Sequence, residues 1–165
     1  MKKMLIGLLV TSVALLFIGA EALAAGSSSK QAQDTRPGVS QYNAGVKLMK
    51  QGKYEKAAKK FEAALKKNPN MAEAHNNLGY SLRKQGDQNY ERALSHYNRA
   101  IELKPNLVEA YMYRGVLHAL MGNEDKALED HSKLTQLDRE LANALQAAIA
   151  SGEEPEGLDG LAKTW

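Results

Sequence analysis

The sequence predicts an all-α protein, an α-solenoid of three helical hairpins closed by a C-terminal capping helix. Two observations carry this. Beyond residue 40 the chain is rich in Ala, Leu, Lys and Glu and poor in proline and β-branched residues, a composition that favours helix. Four sets of residues also recur in one register. Gly45, Gly79 and Gly115 lie 34 and 36 residues apart, and Gly52, Gly86 and Gly122 repeat those spacings seven residues later. Ala57, Ala93 and Ala127 recur at 36 and 34, and Pro69 and Pro105 at 36. A period of this size marks stacked helical units, each too small to bury its apolar face alone.

Each marker has a physical role. Gly45, Gly79 and Gly115 fall inside amphipathic stretches, where glycine costs about 1 kcal/mol relative to alanine. Its repetition predicts close helix–helix approach with no room for a Cβ. Gly52, Gly86 and Gly122 follow the ends of those stretches, where glycine terminates a helix in left-handed geometry. Ala57, Ala93 and Ala127 lie in the following helix and are small enough to pack against the preceding one. Pro69 and Pro105 close the second helix of a hairpin. Helices are expected near 39–51, 54–67, 71–85, 90–103, 107–121 and 124–137. Two extra residues between Gly86 and Ala93 should lengthen that turn. A seventh helix near 139–150 carries Leu141, Leu145, Ala148 and Ile149 on one face and is expected to cap the stack.

The first residues read as targeting. Lys2 and Lys3 precede an apolar run from Met4 to Ile18, followed by Gly19, Ala20 and Ala22-Leu23-Ala24. This is the layout of a secretory signal peptide, assigned to residues 1–24 with cleavage after Ala24, or alternatively after Ala25 or Ala22. The alternative is an uncleaved anchor, although the run is shorter than the roughly 20 residues of a spanning helix. Export across a bacterial inner membrane to the periplasm is the expected localisation. Residues 25–37, rich in Ser, Gly and polar side chains, are expected to be a flexible linker.

The repeat resembles the tetratricopeptide repeat, whose signature is W-x2-L-G-x2-Y, then A-x3-F, then P. The middle unit has His75-x2-Leu78-Gly79-x2-Leu82, Ala93-x3-Tyr97 and Pro105. The first has Gln41-x2-Ala44-Gly45-x2-Leu48, Ala57-x3-Phe61 and Pro69. The third has Tyr111-x2-Arg114-Gly115-x2-His118 and Ala127-x3-His131, with Arg139 in place of proline, so its last helix is expected to run on toward the C-terminus. No unit has the leading Trp. The units span 38–71, 72–107 and 108–141, followed by the remainder of the capping helix at 142–151 and an acidic tail at 152–165.

That resemblance implies a scaffold that binds other proteins rather than an enzyme, with a concave face lined by the first helix of each unit. The inner positions expected to be exposed there are Tyr42, Asn43, Val46, Met49 and Lys50 from the first unit. The second adds Asn76, Asn77, Tyr80, Arg83 and Lys84, and the third Met112, Tyr113, Val116 and Ala119. Tyr and Met suit adaptable contacts, Asn can pair with a peptide backbone, and Lys50, Arg83 and Lys84 would prefer an acidic group. The family's basic clamp on a terminal carboxylate is matched by Asn77 alone, with Tyr42, Val46, Glu109 and Tyr113 at its other positions. An internal acidic or apolar peptide segment is therefore the expected ligand. The resemblance also implies an ion pair between Arg114 and Asp130 across the third hairpin.

Other chemistry is sparse. A chain without cysteine has no disulfide framework, thiolate nucleophile or zinc–thiolate site. A net charge of +3 does not suggest a nucleic-acid binder. There is no glycine-rich phosphate loop, no Ser–His–acid arrangement and no HExxH, so no cofactor is expected. His118 and His131 could approach across a hairpin, but two ligands make a weak metal site and packed core histidines are the expected reading. His75 reads as a filler for the missing Trp, and His96 as lying at or near the surface.

Residues 38–71 contain eight lysines against Glu55 and Glu62, whereas 108–165 contain eleven acidic residues against five basic ones. This is either a bias of solvated faces or a basic head and acidic tail. The second reading would allow weak membrane-surface contact, an acidic partner, or head-to-tail self-association as a structural subunit of an envelope assembly. The tail itself, with Leu158, Leu161 and Trp165 at near-helical spacing, is either disordered, folded back on an apolar surface or docked on a partner. The inner positions of the concave face could equally decorate a scaffold or hold this tail.

Overall fold

The computed structural model describes residues 35–155, 157 and 162–165. The signal peptide assigned to 1–24 and most of the 25–37 linker lie outside the described residues. Seven α-helices follow one another: α1 (Val39–Met49), α2 (Tyr54–Lys67), α3 (Ala72–Arg83), α4 (Tyr90–Leu103), α5 (Val108–Leu120), α6 (Glu124–Leu137) and α7 (Arg139–Ser151). Among the described residues there is no strand, and no helix is long and apolar enough to cross a membrane. The two extra residues of the middle unit form a 3-10 turn at Asp87–Asn89.

Helices α1/α2, α3/α4 and α5/α6 pair as hairpins, and α7 packs on both α5 and α6. The packing glycines explain how closely the partners approach. A Cβ on Gly45 would fall 2.6 Å from the Phe61 ring, and one on Gly79 would fall 2.8 Å from the Tyr97 ring. On Gly115 it would lie 2.5 Å from Leu145, so the third glycine admits the cap rather than an aromatic ring from its own hairpin. Gly52 and Gly122 end their helices at φ of 70° and 74°, where a side chain would be strained.

The repeat position that usually holds Trp fastens the inter-repeat turn. His75 Nε2 bonds the Pro69 carbonyl at 3.1 Å, and the equivalent Tyr111 hydroxyl donates to the Pro105 carbonyl at 2.9 Å. A carbonyl only accepts, so His75 carries its proton on Nε2 and its Nδ1 accepts from His96 Nδ1–H across 3.0 Å.

The third unit does not run straight on into the cap. Asp138 breaks the chain in extended geometry, and its carboxylate accepts from the amides of Glu140 and Leu141, capping α7. An N-cap thus replaces the missing proline as the stop between helices. The buried stripe of α7 is Ala142, Leu145 and Ala148, with Leu141 and Ile149 half-buried beside it.

Candidate partner-binding groove

Helices α1, α3 and α5, the first of each hairpin, stand side by side and form one face of the molecule. Most of the side chains expected to be exposed on it are instead buried. Tyr42, Val46, Met49, Asn76, Asn77, Tyr80, Arg83, Met112, Tyr113 and Val116 are at most 3% exposed. Asn43 and Ala119 are half-buried, and only Lys50 and Lys84 are exposed.

The burial of these side chains has a geometric cause. In α1 the residues Val39, Tyr42, Val46 and Met49 are spaced 3, 4 and 3 apart, which is a single buried stripe. Counting outward from the packing glycine therefore reaches the seam toward the next hairpin before it reaches open groove. Along that seam Tyr80 meets Tyr113 at 4.7 Å between ring centroids and Tyr54 at 6.0 Å, and Tyr113 meets Tyr97 at 6.1 Å.

The polar members of the set converge on the end of the chain. Asn76 Nδ2 donates to Asn77 Oδ1 at 3.1 Å, Asn77 Nδ2 donates to the Tyr42 hydroxyl at 3.1 Å, and that hydroxyl donates to the Lys163 carbonyl at 2.8 Å. Asn43 holds the main chain of Trp165 at two points, receiving its N–H at 3.0 Å and donating to its carbonyl at 3.0 Å. The Trp165 ring stands edge-on to Tyr42, and the Arg36 guanidinium lies 4.1 Å from its centroid. At the other end of the face, Glu154 bonds Arg83 at 2.8 Å and Lys84 at 3.2 Å. Of the described tail residues, Glu154 thus lies at the C-terminal end of α3, and Lys163 and Trp165 lie at the N-terminal half of α1. The described end of the tail does fold back, but onto chiefly polar groups rather than an apolar surface, and Leu158 and Leu161 lie outside the described residues. Sequence reasoning missed Arg36, which was assigned to the linker, and Glu154, whose acidic run gave no sign of which basic residue it would meet.

Electrostatics follow burial. Burial, with Glu73 nearby, pushes the Tyr42 hydroxyl up to about 12, against the hydrogen bonds it makes. Burial alone would raise the Glu154 carboxyl, but Arg83 and Lys84 hold it below the usual carboxylate range. The Tyr97 phenol is pushed up by burial and sits beside Arg83 without hydrogen-bond geometry. Asn76 Oδ1 and Arg83 Nε are buried with no hydrogen-bond partner. Beside the tail a cavity of about 370 Å³ remains, lined by Asn76, Asn77, Glu73, Glu109 and Lys104 among others.

The histidines brought together are His75 and His96, rather than His118 and His131. His118 is instead buried with Nδ1 unpartnered. Among the described residues no three His, Asp or Glu side chains gather as metal ligands would.

Three stacked helical hairpins with packing glycines and a cap define a helical-repeat solenoid. The tetratricopeptide repeat family profile matches residues 42–106 and 87–139, more than half of the sequence, and the chain belongs to that family. Solved structures agree on the fold. The second TPR of Spaghetti (RPAP3), bound to the HSP90 peptide SRMEEVD, is 24% identical with a TM-score of 0.59, over 62% of this chain and 94% of that one. The first TPR of the same protein, with the same peptide, is 22% identical at a TM-score of 0.63, over 72% and 94%. The TPR2B domain of yeast Sti1, in a pHsp70 complex, is 21% identical at 0.62, over 70% and 95%. No curated protein matches the chain.

Proposed function

We propose that the chain is a protein-interaction adaptor whose concave face takes an extended segment of a partner protein. One observation carries the reading: side chains of α1 and α3 already hold the main chain of Lys163 and Trp165 and the carboxylate of Glu154, the groups any extended acidic peptide offers. The Spaghetti and Sti1 domains, solved with HSP90 peptide or in a pHsp70 complex, lend support by analogy of fold. The cationic start and apolar run of the first residues support a working place beyond a bacterial inner membrane, in the periplasm.

The test is selection from a random-peptide library against the folded full-length chain and against a variant carrying Asn43→Ala and Lys84→Ala. Neither residue is in the buried core, so the variant should keep its helical content. Selected peptides are expected to contain acidic residues and to bind the variant at least about tenfold more weakly. Peptides that bind both proteins equally would locate binding away from the groove. Sequencing the N-terminus of periplasmic material, with a start at Ala25 expected, tests export.

A further inference from the structure

We propose that the end of the chain, through Glu154 and through Lys163 to Trp165, is a resident ligand of the groove, and that a partner binds by replacing it with an acidic side chain at Arg83 and Lys84. This rests on the groove reading above and adds the occupant, the exchange and the chemistry of the replacement.

The tail is held unlike a structural element. Helix α7 is anchored by the burial of Ala142, Leu145 and Ala148, with Leu145 driven against Gly115. Among the described residues after α7 only Ala162 is buried, and Trp165 stays 45% exposed. What holds the tail is chiefly polar, namely one carboxylate on two cations, a main-chain carbonyl on Tyr42 and both main-chain groups of Trp165 on Asn43, with the Trp165 ring against Tyr42 and Arg36 added to these. The Tyr42 and Asn43 contacts recognise main chain, which every peptide carries. They do not distinguish the tail from a competitor.

The Arg83 end does discriminate. Its side chain is 2% exposed and Glu154 is its ion-pair partner. A buried guanidinium left without a carboxylate is strongly unfavourable. Simple departure of the tail is therefore opposed, whereas exchange for another carboxylate is not.

The fit also leaves room for a better ligand. Glu154 splits its oxygens between Arg83 and Lys84, so Arg83 Nε remains without a partner, as does Asn76 Oδ1. Asn76 lines the cavity beside the tail. A peptide with an N–H donor there and an acidic side chain at Arg83 would satisfy groups that the tail does not. Its advantage must exceed that of a tethered competitor, whose effective concentration is on the order of millimolar.

Trp165 is the only tryptophan, so its fluorescence anisotropy in the full-length chain reports docking. The competitor is a synthetic peptide of residues 153–165 with phenylalanine at the tryptophan position, compared with the same peptide carrying Glu154→Gln. In the parent, anisotropy should be that of a docked residue and independent of protein concentration. The acidic peptide should lower it, and the Gln peptide should need at least about tenfold more to do so. The full-length Glu154→Gln variant should release its own tail at least about tenfold more easily. If that variant fails to fold, the two peptides on the parent still decide the matter.

A tryptophan already mobile in the parent overturns the resident ligand while leaving the groove open to partners. Docking lost on dilution assigns the tail to a second copy and also overturns the inference. Equal displacement by the two peptides overturns the carboxylate requirement, and no displacement at any concentration overturns the exchange. Failure of the groove reading is distinct, because library peptides would then bind the Asn43→Ala, Lys84→Ala variant as well as the parent.

Discussion

Arg114 and Asp130 form a two-point ion pair across the third hairpin, with Nε 3.0 Å from Oδ2 and Nη2 2.6 Å from Oδ1. Arg114 Nη1 is taken by Asn98 Oδ1 at 2.7 Å, which ties the pair to α4 in the preceding hairpin. Asp130 is 1% exposed, so its carboxylate depends on this one partner. Burial raises its carboxyl, and Arg114 pulls it back. Asp130→Ala should therefore lower stability by about 3 kcal/mol, the scale for breaking a buried pair. Glu129→Ala, on the exposed side of the same helix, should change it by less than about 0.5 kcal/mol. Chemical unfolding of both variants checks this, and equal small effects would contradict it.

Gly79→Ala sets two effects against each other. Alanine in a helix interior gains about 1 kcal/mol over glycine. Here its Cβ would lie 2.8 Å from the Tyr97 ring and 3.1 Å from the Ala93 carbonyl, and Tyr97 is fully buried with little freedom to move. Overpacking of about 1–3 kcal/mol should win, so the variant should unfold at lower denaturant concentration. A more stable variant would mean that the hairpin can open without loss.

Much of this fold was legible because its markers are backbone facts. A glycine that cannot carry a Cβ, a proline that stops a helix and an alanine at a crossing must recur wherever the geometry recurs. That is why the seven helices fall within two residues of their expected ends. The Arg114–Asp130 pair was legible through the resemblance to the family, which places an acid opposite an arginine at that seam. The groove was not legible in the same way. Whether Tyr42 or Tyr80 faces solvent or the neighbouring hairpin depends on how far each hairpin rotates against the next, which no local pattern fixes. That the groove could hold the protein's own tail was open from the sequence, but the residues that meet the tail could not be named. The tail's contacts join residues 70 or more positions apart, and at Lys163 and Trp165 they use main-chain groups that every residue shares.

Acid should destabilise the protein through three histidines. Burial depresses His96 to about 4, helped by His75 and Arg92, and depresses His118 to about 4, helped by Arg114 and Lys126. Burial also lowers His75 from 6.5, against its bond to the Pro69 carbonyl. For bases with depressed values the unfolded chain binds more protons. Their stabilising contribution is thus complete above pH 6.5 and is lost as pH falls toward 4. Once both His75 and His96 are protonated, two Nδ1–H donors face each other at the 3.0 Å contact. Unfolding free energy measured across this window should fall steadily, and His96→Gln should flatten the slope. An unchanged slope would mean that His96 titrates as a solvated side chain.

The claim that the first helices of the hairpins form the binding face is tested most directly by a titration followed in amide nuclear magnetic resonance spectra. Full-length protein would receive an acidic peptide taken from the library selection. The account predicts shifts at Asn43, Asn77 and Lys84, together with loss of the docked signals of Lys163 and Trp165. Shifts confined to α2, α4 and α6, with Trp165 still docked, would contradict it.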